Sequence, residues 1–268
     1  MPEVLVRRAG AVGTIVLSNP AKFNAMSLGM WQALPEAIAQ LDADPDVRVI
    51  VLEGDGDKAF VSGADISQFE SNRSDDSAQA VYGAAVDAGY RAPVENRKPT
   101  IAKIRGICMG GGLGLAAACD LRICSDDARF RMPAARLGLG YGTSGVSRFL
   151  SLLGPQRTFE LFYTARIFGA ADAAAMGFVL QVTSPAELDA TVATLANAIA
   201  GNAPLTLHAT KRSLEALLAA RGVPTAPEVL EARFAAAQAA IAACGKSNDY
   251  KEGARAFMEK RPPQFTGS

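Results

Sequence analysis

Gly106-Ile107-Cys108-Met109-Gly110-Gly111-Gly112-Leu113-Gly114-Leu115-Ala116, closely followed by Cys119-Asp120, is the stretch on which the reading of this chain turns. Its glycines fall where a strand is expected to end and a helix to begin. The first N–H groups of a helix lack partners inside it and carry the positive end of its dipole. Glycine lets a ligand atom come close to that backbone, and the combination suits an oxyanion or a phosphate. Gly112 to Ala117 also fits the G-x-G-x-x-G/A dinucleotide pattern. That reading fails on context. The helix would have only about seven residues, the acids Asp126 and Asp127 come about 14 residues on instead of about 20, and over 100 residues precede the motif. Close packing of a glycine-rich helix on a strand is the remaining alternative for this element taken alone.

Working outward, Phe60-Val61-Ser62-Gly63-Ala64-Asp65-Ile66 forms a second glycine-bearing element. Val47 to Leu52 is a β-branched run and predicts a buried strand, with further short strands at Ile101 to Ile104 and Leu121 to Cys124. Val4 to Val6 and Thr14 to Leu17 predict a strand pair. Ser27 predicts an N-cap for a helix carrying the apolar stripe Met30, Trp31, Leu34, Ile38 and Leu41. Residues from about Gln68 to Lys98 read as a mobile loop leading into a helix that stops before Pro99. Beyond Ser144 the chain is helical, with segments at Ser144 to Leu153, Pro155 to Ala165, Ala186 to Ala200, Pro204 to Ala220, Pro227 to Ala243 and Asp249 to Lys260. Strands separated by helices predict an α/β spiral or layered fold, and no internal repeat is visible.

Composition removes several functions. Apolar residues are 49% and charged residues 20%, the mixture of an ordinary folded domain. Lys plus Arg and Asp plus Glu are both 27, so no broad basic field attracts nucleic acid or an anionic membrane. Any anionic ligand must be held by local groups. Cys108, Cys119, Cys124 and Cys244 contain no CxxC pair, and His208 is the sole histidine, so no metal site is expected. Reduced buried thiols and an N-terminus without an apolar signal segment predict a cytoplasmic protein. The longest apolar stretch, Ile104 to Cys124, is interrupted by Arg105, Asp120, Arg122 and five glycines, and is not expected to span a bilayer.

Taken in order, the motifs resemble those of the crotonase (enoyl-CoA hydratase/isomerase) family. The likeness runs from Leu17-Ser18-Asn19-Pro20-Ala21-Lys22-Phe23-Asn24-Ala25-Met26 through the Phe60–Ile66 element and the glycine-rich helix start. It continues with Phe130 to Gly142 and Arg166 to Gly177, and ends with Asp249 to Gly253 and Phe257 to Arg261. The resemblance implies a crotonase-like spiral of ββα units over residues 1–200, with a C-terminal α-helical trimerisation region over 201–268. It implies homotrimers, commonly paired into hexamers. It implies an acyl-CoA substrate, with coenzyme A entering as part of that substrate and no covalently bound cofactor. In the family the thioester carbonyl oxygen accepts hydrogen bonds from two backbone N–H groups, which match Ala64 and Gly111 here. Such a preorganised donor is worth about 3 kcal/mol to a developing enolate. Lys22 (through its backbone), Ala64, Asp65, Ile66 and Gly111 match CoA and substrate contacts, and Phe257 and Lys260 match contacts from a neighbouring subunit.

The sequence departs from the hydratase pattern at both catalytic glutamates. Gly114 stands three residues after Gly111 where one is expected, and Ala134, after Phe130-Arg131-Met132-Pro133, stands at the other. Neither residue moves a proton. Tyr141, flanked by Gly138, Gly140 and Gly142, lies where methylmalonyl-CoA decarboxylases of the family carry a tyrosine, although those retain a glutamate at the Gly114 position. The alternatives are thus a decarboxylase of a malonyl-type thioester and a catalytically silent acyl-CoA-binding protein. For Tyr141 the competing reading is a packed aromatic in a tight turn. Asp65 is expected to brace its turn, Asp120 to be structural, Arg131, Arg136, Asp126 and Asp127 to lie at the surface, and His208 to sit with Lys211 and Arg212 on a solvated face.

Overall fold

The computed structural model describes residues 2–65, 76–221 and 225–268. In chain order its strands are β1 (Glu3–Ala9), β2 (Val12–Ser18), β3 (Val49–Gly54), β4 (Ala59–Val61), β5 (Thr100–Ile104), β6 (Ile107–Met109), β7 (Leu121–Ser125), β8 (Arg129–Arg131), β9 (Phe168–Gly169) and β10 (Gln181–Thr183). The helices are α1 (Leu28–Ala43), α2 (Asp76–Glu95), α3 (Gly111–Ala118), α4 (Thr143–Thr164), α5 (Ala170–Ala175), α6 (Leu188–Ala200), α7 (Pro204–Arg221), α8 (Pro227–Lys246) and α9 (Asn248–Glu259). From β3 to β8 the chain deals strands alternately to two sheets and then supplies a helix: β3-β4-α2, β5-β6-α3, β7-β8-α4. The first sheet runs β1-β2-β3-β5-β7-β10, and the second runs β4-β6-β8-β9. All pairings from β2 to β10 in the first sheet are parallel, so the repeat is a spiral of ββα turns. The repeat that is invisible in the sequence is therefore present in the backbone.

The apolar run in β3 explains why both faces of the first sheet are covered. Val49 and Val51 join Ile101 and Ile123 against Leu188, Val192 and Ala196 of α6. Ile50 and Leu52 point the other way, into a core shared with Phe60, Cys108, Leu113 and Leu115. Alternation of side chains across a strand requires this division. Ser27 caps α1 by accepting the Met30 N–H at 3.2 Å, and Met30, Trp31, Leu34, Ile38 and Leu41 are all buried, as their spacing predicts. The β3 strand starts at Val49, not Val47, because the Val47 N–H closes a turn onto the Asp44 carbonyl. The two helices expected on either side of Gly154 form α4, kinked where Gly154 takes φ 71° and ψ 173°. The loop half of the expected Gln68 to Lys98 segment lies largely outside the described residues, and its helical half is α2.

One expectation is corrected. Lys211 and Arg212 do not lie on a solvated face, and His208 beside them is half-buried. The Lys211 amine donates to the carbonyls of Pro93 (2.8 Å) and Lys98 (2.9 Å) and pairs with Asp120 at 3.0 Å. Arg212 donates to the carbonyls of Val94, Glu95 and Asn96. The cause is the C-terminus of α2, whose last carbonyls lack partners within the helix and attract cations. Asp120 is structural, as expected, and also accepts from the Thr100 N–H and hydroxyl. Lys211→Met keeps the stem but leaves Asp120 and two carbonyls without their cation, so unfolding in urea should show a loss of about 3 kcal/mol. An unchanged midpoint and slope would show that the clamp contributes nothing.

Candidate active site

Two strand ends of the second sheet set the geometry. β4 runs out into Ser62-Gly63-Ala64, and its neighbour β6 runs out into Gly110, the residue before α3. Gly63 has φ 125° and Gly110 φ 52°, conformations that side chains disfavour. A Cβ at Gly110 would lie 3.6 Å from the Gly63 Cα, so the two backbones nearly touch. Met26 pairs with Ala64 in a parallel bridge: its N–H donates to the Gly63 carbonyl (2.8 Å) and its carbonyl accepts from the Asp65 N–H (3.0 Å). Such a bridge uses the groups on either side of Ala64 and turns Ala64's own N–H to the opposite side. Across the gap, the Gly110 N–H is taken by the Arg131 carbonyl, and the Gly114 N–H closes the first helical turn onto the Gly110 carbonyl. The Gly111 N–H, first in α3, lies outside the helix's own bonds.

α3 is buried almost whole, from Gly112 to Ala118. Its C-terminal carbonyls are satisfied by two guanidinium groups. Arg122 donates to Ala116 and Cys119, and Arg148 to Ala117 and Ala118. Burial lowers the Arg122 pKa to about 10, which still leaves it cationic at neutral pH. Cys108, Cys119 and Cys124 around the helix are free and buried, and burial pushes the thiols of Cys119 and Cys124 up to about 12. They remain neutral and unreactive. Among the described residues no cluster of His, Cys, Asp and Glu is placed to hold a metal.

The position of the first missing glutamate is filled. A Cβ at Gly114 would lie 2.5 Å from the Tyr90 hydroxyl and 2.7 Å from the Tyr141 hydroxyl. These two oxygens are 3.3 Å apart, and the Tyr90 hydroxyl also donates to the Gly111 carbonyl at 3.3 Å. Tyr90 sets its ring edge-on to Trp31 (centroids 5.3 Å), and Tyr141 packs on Phe162 (5.2 Å). Burial raises the pKa of both phenols, Tyr90's most, and keeps them protonated. The second glutamate position, Ala134, is buried at the start of a short 3-10 turn, and its carbonyl accepts the N–H groups of Leu137 and Leu139.

A cavity of about 550 Å³ opens beside this tyrosine pair, lined by Gly114, Tyr90 and Tyr141 and extending past Asp87 and Arg148 to Glu215. Ala64 and Gly111 are not in its lining. Glu215 is held at about 7 by burial, against the opposing pull of Arg212.

The remaining expected residues fall in two places. Lys22 ends a short 3-10 turn and its amine grips the Asp65 carboxylate at 2.9 and 2.7 Å, so Asp65 braces its turn. The loop around Lys22 is stapled by Asn24, which donates to the carbonyls of Asp55 and Ala59. Ile66 lies outside the described residues. Phe257 and Lys260 sit at the end of α9, where Phe257 is 86% exposed. Asp126, Asp127 and Arg136 are exposed, while Arg131 is half-buried and donates to the Ala165 carbonyl. Tyr90 escaped the sequence reading. The available signal was the apolar stripe of Tyr82, Val86, Gly89 and Pro93 along α2, beside which Tyr90 falls.

Comparison with known proteins shows the family. Residues 7–268 match the family model described as Enoyl-CoA hydratase/isomerase. The chain is 30% identical to a short-chain-enoyl-CoA hydratase of Clostridium acetobutylicum, over 97% of this chain and 95% of that protein. It is 34% identical to the peroxisomal Delta(3,5)-Delta(2,4)-dienoyl-CoA isomerase of Arabidopsis thaliana, over 94% and 91%. The crystal structure of an enoyl-CoA hydratase/carnithine racemase from Magnetospirillum magneticum superposes with a TM-score of 0.88 at 32% identity, covering 100% of this chain and 97% of that one. The chain belongs to the enoyl-CoA hydratase/isomerase family, the crotonase superfamily that its ordered motifs resemble.

Proposed function

We propose that this protein processes acyl-CoA thioesters by stabilising the thioester enolate between the N–H groups of Ala64 and Gly111. The observation that supports the reading is the Gly63–Gly110 contact, beside which both N–H groups lie without a partner in the bridge or in the helix. An enolate places its new charge on the thioester oxygen, and donors fixed before the reaction cost no reorganisation when that charge appears. The dipole of α3 adds to the Gly111 donor. With Gly114 and Ala134 in place of carboxylates, the Tyr141 hydroxyl is a protic group at the first vacated position, 2.7 Å from where a Gly114 Cβ would lie. It is held neutral, so its role is to donate a hydrogen bond or a proton, not to abstract one.

Coenzyme A enters as part of the substrate, against the Lys22 loop, Asp65 and the adjoining turn. Phe257 and Lys260 contribute from a second copy in a homotrimer or homohexamer, where a lysine facing phosphates is favourable. The adjacent Phe257 and Met258, 86% and 81% exposed, support burial of that end in an assembly. The neutral buried thiols agree with a cytoplasmic, reducing setting, and no helix among the described residues is long and apolar enough to cross a membrane. Relatives named as hydratases and an isomerase favour this reading over a decarboxylase or a silent binding protein.

Titration calorimetry with acetyl-CoA and longer acyl-CoAs is expected to show saturable binding. No heat from any of them at millimolar concentration would overturn the reading. Hydration of crotonyl-CoA is expected to be slower than in a glutamate-bearing hydratase by a factor of roughly 10² to 10⁴ or more, the usual contribution of one acid–base group. A comparable turnover would require another base in the site.

A further inference from the structure

Tyr90 has no role in the function derived so far, yet the backbone is cut back around it. Gly114 lacks the Cβ that would strike its hydroxyl and the Tyr141 hydroxyl. Gly145 lacks one that would strike the Tyr141 ring, and at Gly89 a Cβ would lie 2.6 Å from the Trp31 ring on which Tyr90 rests. Three glycines on three helices make room for two phenols to meet. A packed aromatic needs space for its ring only. At Gly114 the space is made at the oxygens.

The Tyr90 hydroxyl has one proton and two acceptors in reach, the Gly111 carbonyl and the Tyr141 oxygen, each at 3.3 Å. When Tyr90 donates to Gly111, the Tyr141 proton is the one left to point at Tyr90 or at a ligand. When a ligand takes the Tyr141 hydrogen bond, Tyr90 can turn its proton onto the Tyr141 oxygen and support the charge that develops there. Hydrogen bonds in such a chain polarise one another, most of all away from water. The Tyr90 hydrogen bond favours the ionised form of Tyr141, opposing the effect of burial.

We propose that Tyr90 is a positioning residue for the reaction, tying the first residue of the oxyanion-hole helix to Tyr141 and setting the Tyr141 hydroxyl toward the bound thioester. This rests on the acyl-CoA reading above. It adds a residue from α2, the wall of the cavity, to a site otherwise built from strand ends.

The test uses the full chain and acetoacetyl-CoA, a β-ketoacyl thioester whose bound enolate has its own near-ultraviolet band. Wild type, Tyr90→Phe, Tyr141→Phe and the double variant are compared for affinity by calorimetry and for bound enolate by absorbance across pH. Tyr90→Phe keeps the ring on Trp31. It is expected to leave affinity for acetyl-CoA within about threefold while lowering the bound enolate fivefold to tenfold, roughly one hydrogen bond. In the Tyr141→Phe background the same change should have almost no further effect, because a residue acting through another is not additive with it. Full additivity, or a Tyr90→Phe enolate band equal to wild type, overturns the proposal. Should Tyr90→Phe fail to fold, Gly114→Ala keeps both tyrosines and sets a methyl against their two hydroxyls, parting them. Its enolate loss should match, and an unchanged band overturns the proposal. No binding and no enolate band in the wild type would instead remove the acyl-CoA reading itself.

Discussion

A short helix buried almost whole is the constraint around which this protein is arranged. α3 has eight residues and all of them are apolar or glycine, so it has no side chain with which to satisfy its own backbone. The carbonyl end is answered by Arg122 and Arg148, two cations that the interior tolerates because each is hydrogen-bonded to several oxygens. The N–H end cannot be answered in the same way without blocking it, and the chain leaves Gly111 open beside Ala64. The asymmetry makes the carbonyl end of the helix structural and leaves the N–H end carrying the positive end of its dipole. The parallel strands that carry these ends are too short to hold the geometry alone. They are held by the Met26 bridge on one side and the Gly110–Arg131 hydrogen bond on the other.

Much of this arrangement was legible in the residues. β-branched runs such as Val49 to Leu52 and the Ser27-capped stripe of α1 announced themselves, because each buries a face with a regular period. The glycine-rich helix start was legible for a different reason, since few local structures require Gly110-Gly111-Gly112 after an apolar strand. The strands of the second sheet were not marked as strands: with two or three residues apiece, β4, β6, β8 and β9 are too short to display a period. The cation clamp on α2 was misread because Lys and Arg on a helix usually face water, and only the fold reveals carbonyls 113 to 118 residues away that need them. Tyr90 was hidden because a tyrosine beside an apolar helical stripe reads as packing until its oxygen is located.

The replacement of the family glutamate by Gly114 is correspondingly more than a deletion. The volume it releases is taken by phenol oxygens from α2 and from the turn before α4, and each phenol has its own supporting aromatic, Trp31 for Tyr90 and Phe162 for Tyr141. A carboxylate exchanged for two neutral hydroxyls removes a base and retains donors.

The clamp on α2 also has a consequence for how the chain comes to be folded. Pro93, Lys98 and the carbonyls between them wait for Lys211 and Arg212, and a ribosome delivers those residues only after more than a hundred others. Vectorial synthesis therefore completes the first spiral turns while the C-terminus of α2 still lacks the cations that clamp it, with Asn96 donating to the carbonyls of Ala92 and Pro93. The wall that carries Tyr90 is closed last, by a long-range contact whose loop-closure cost is met only when α7 has formed. A nascent chain of this protein would have β4, β6 and α3 in place well before it had a finished pocket.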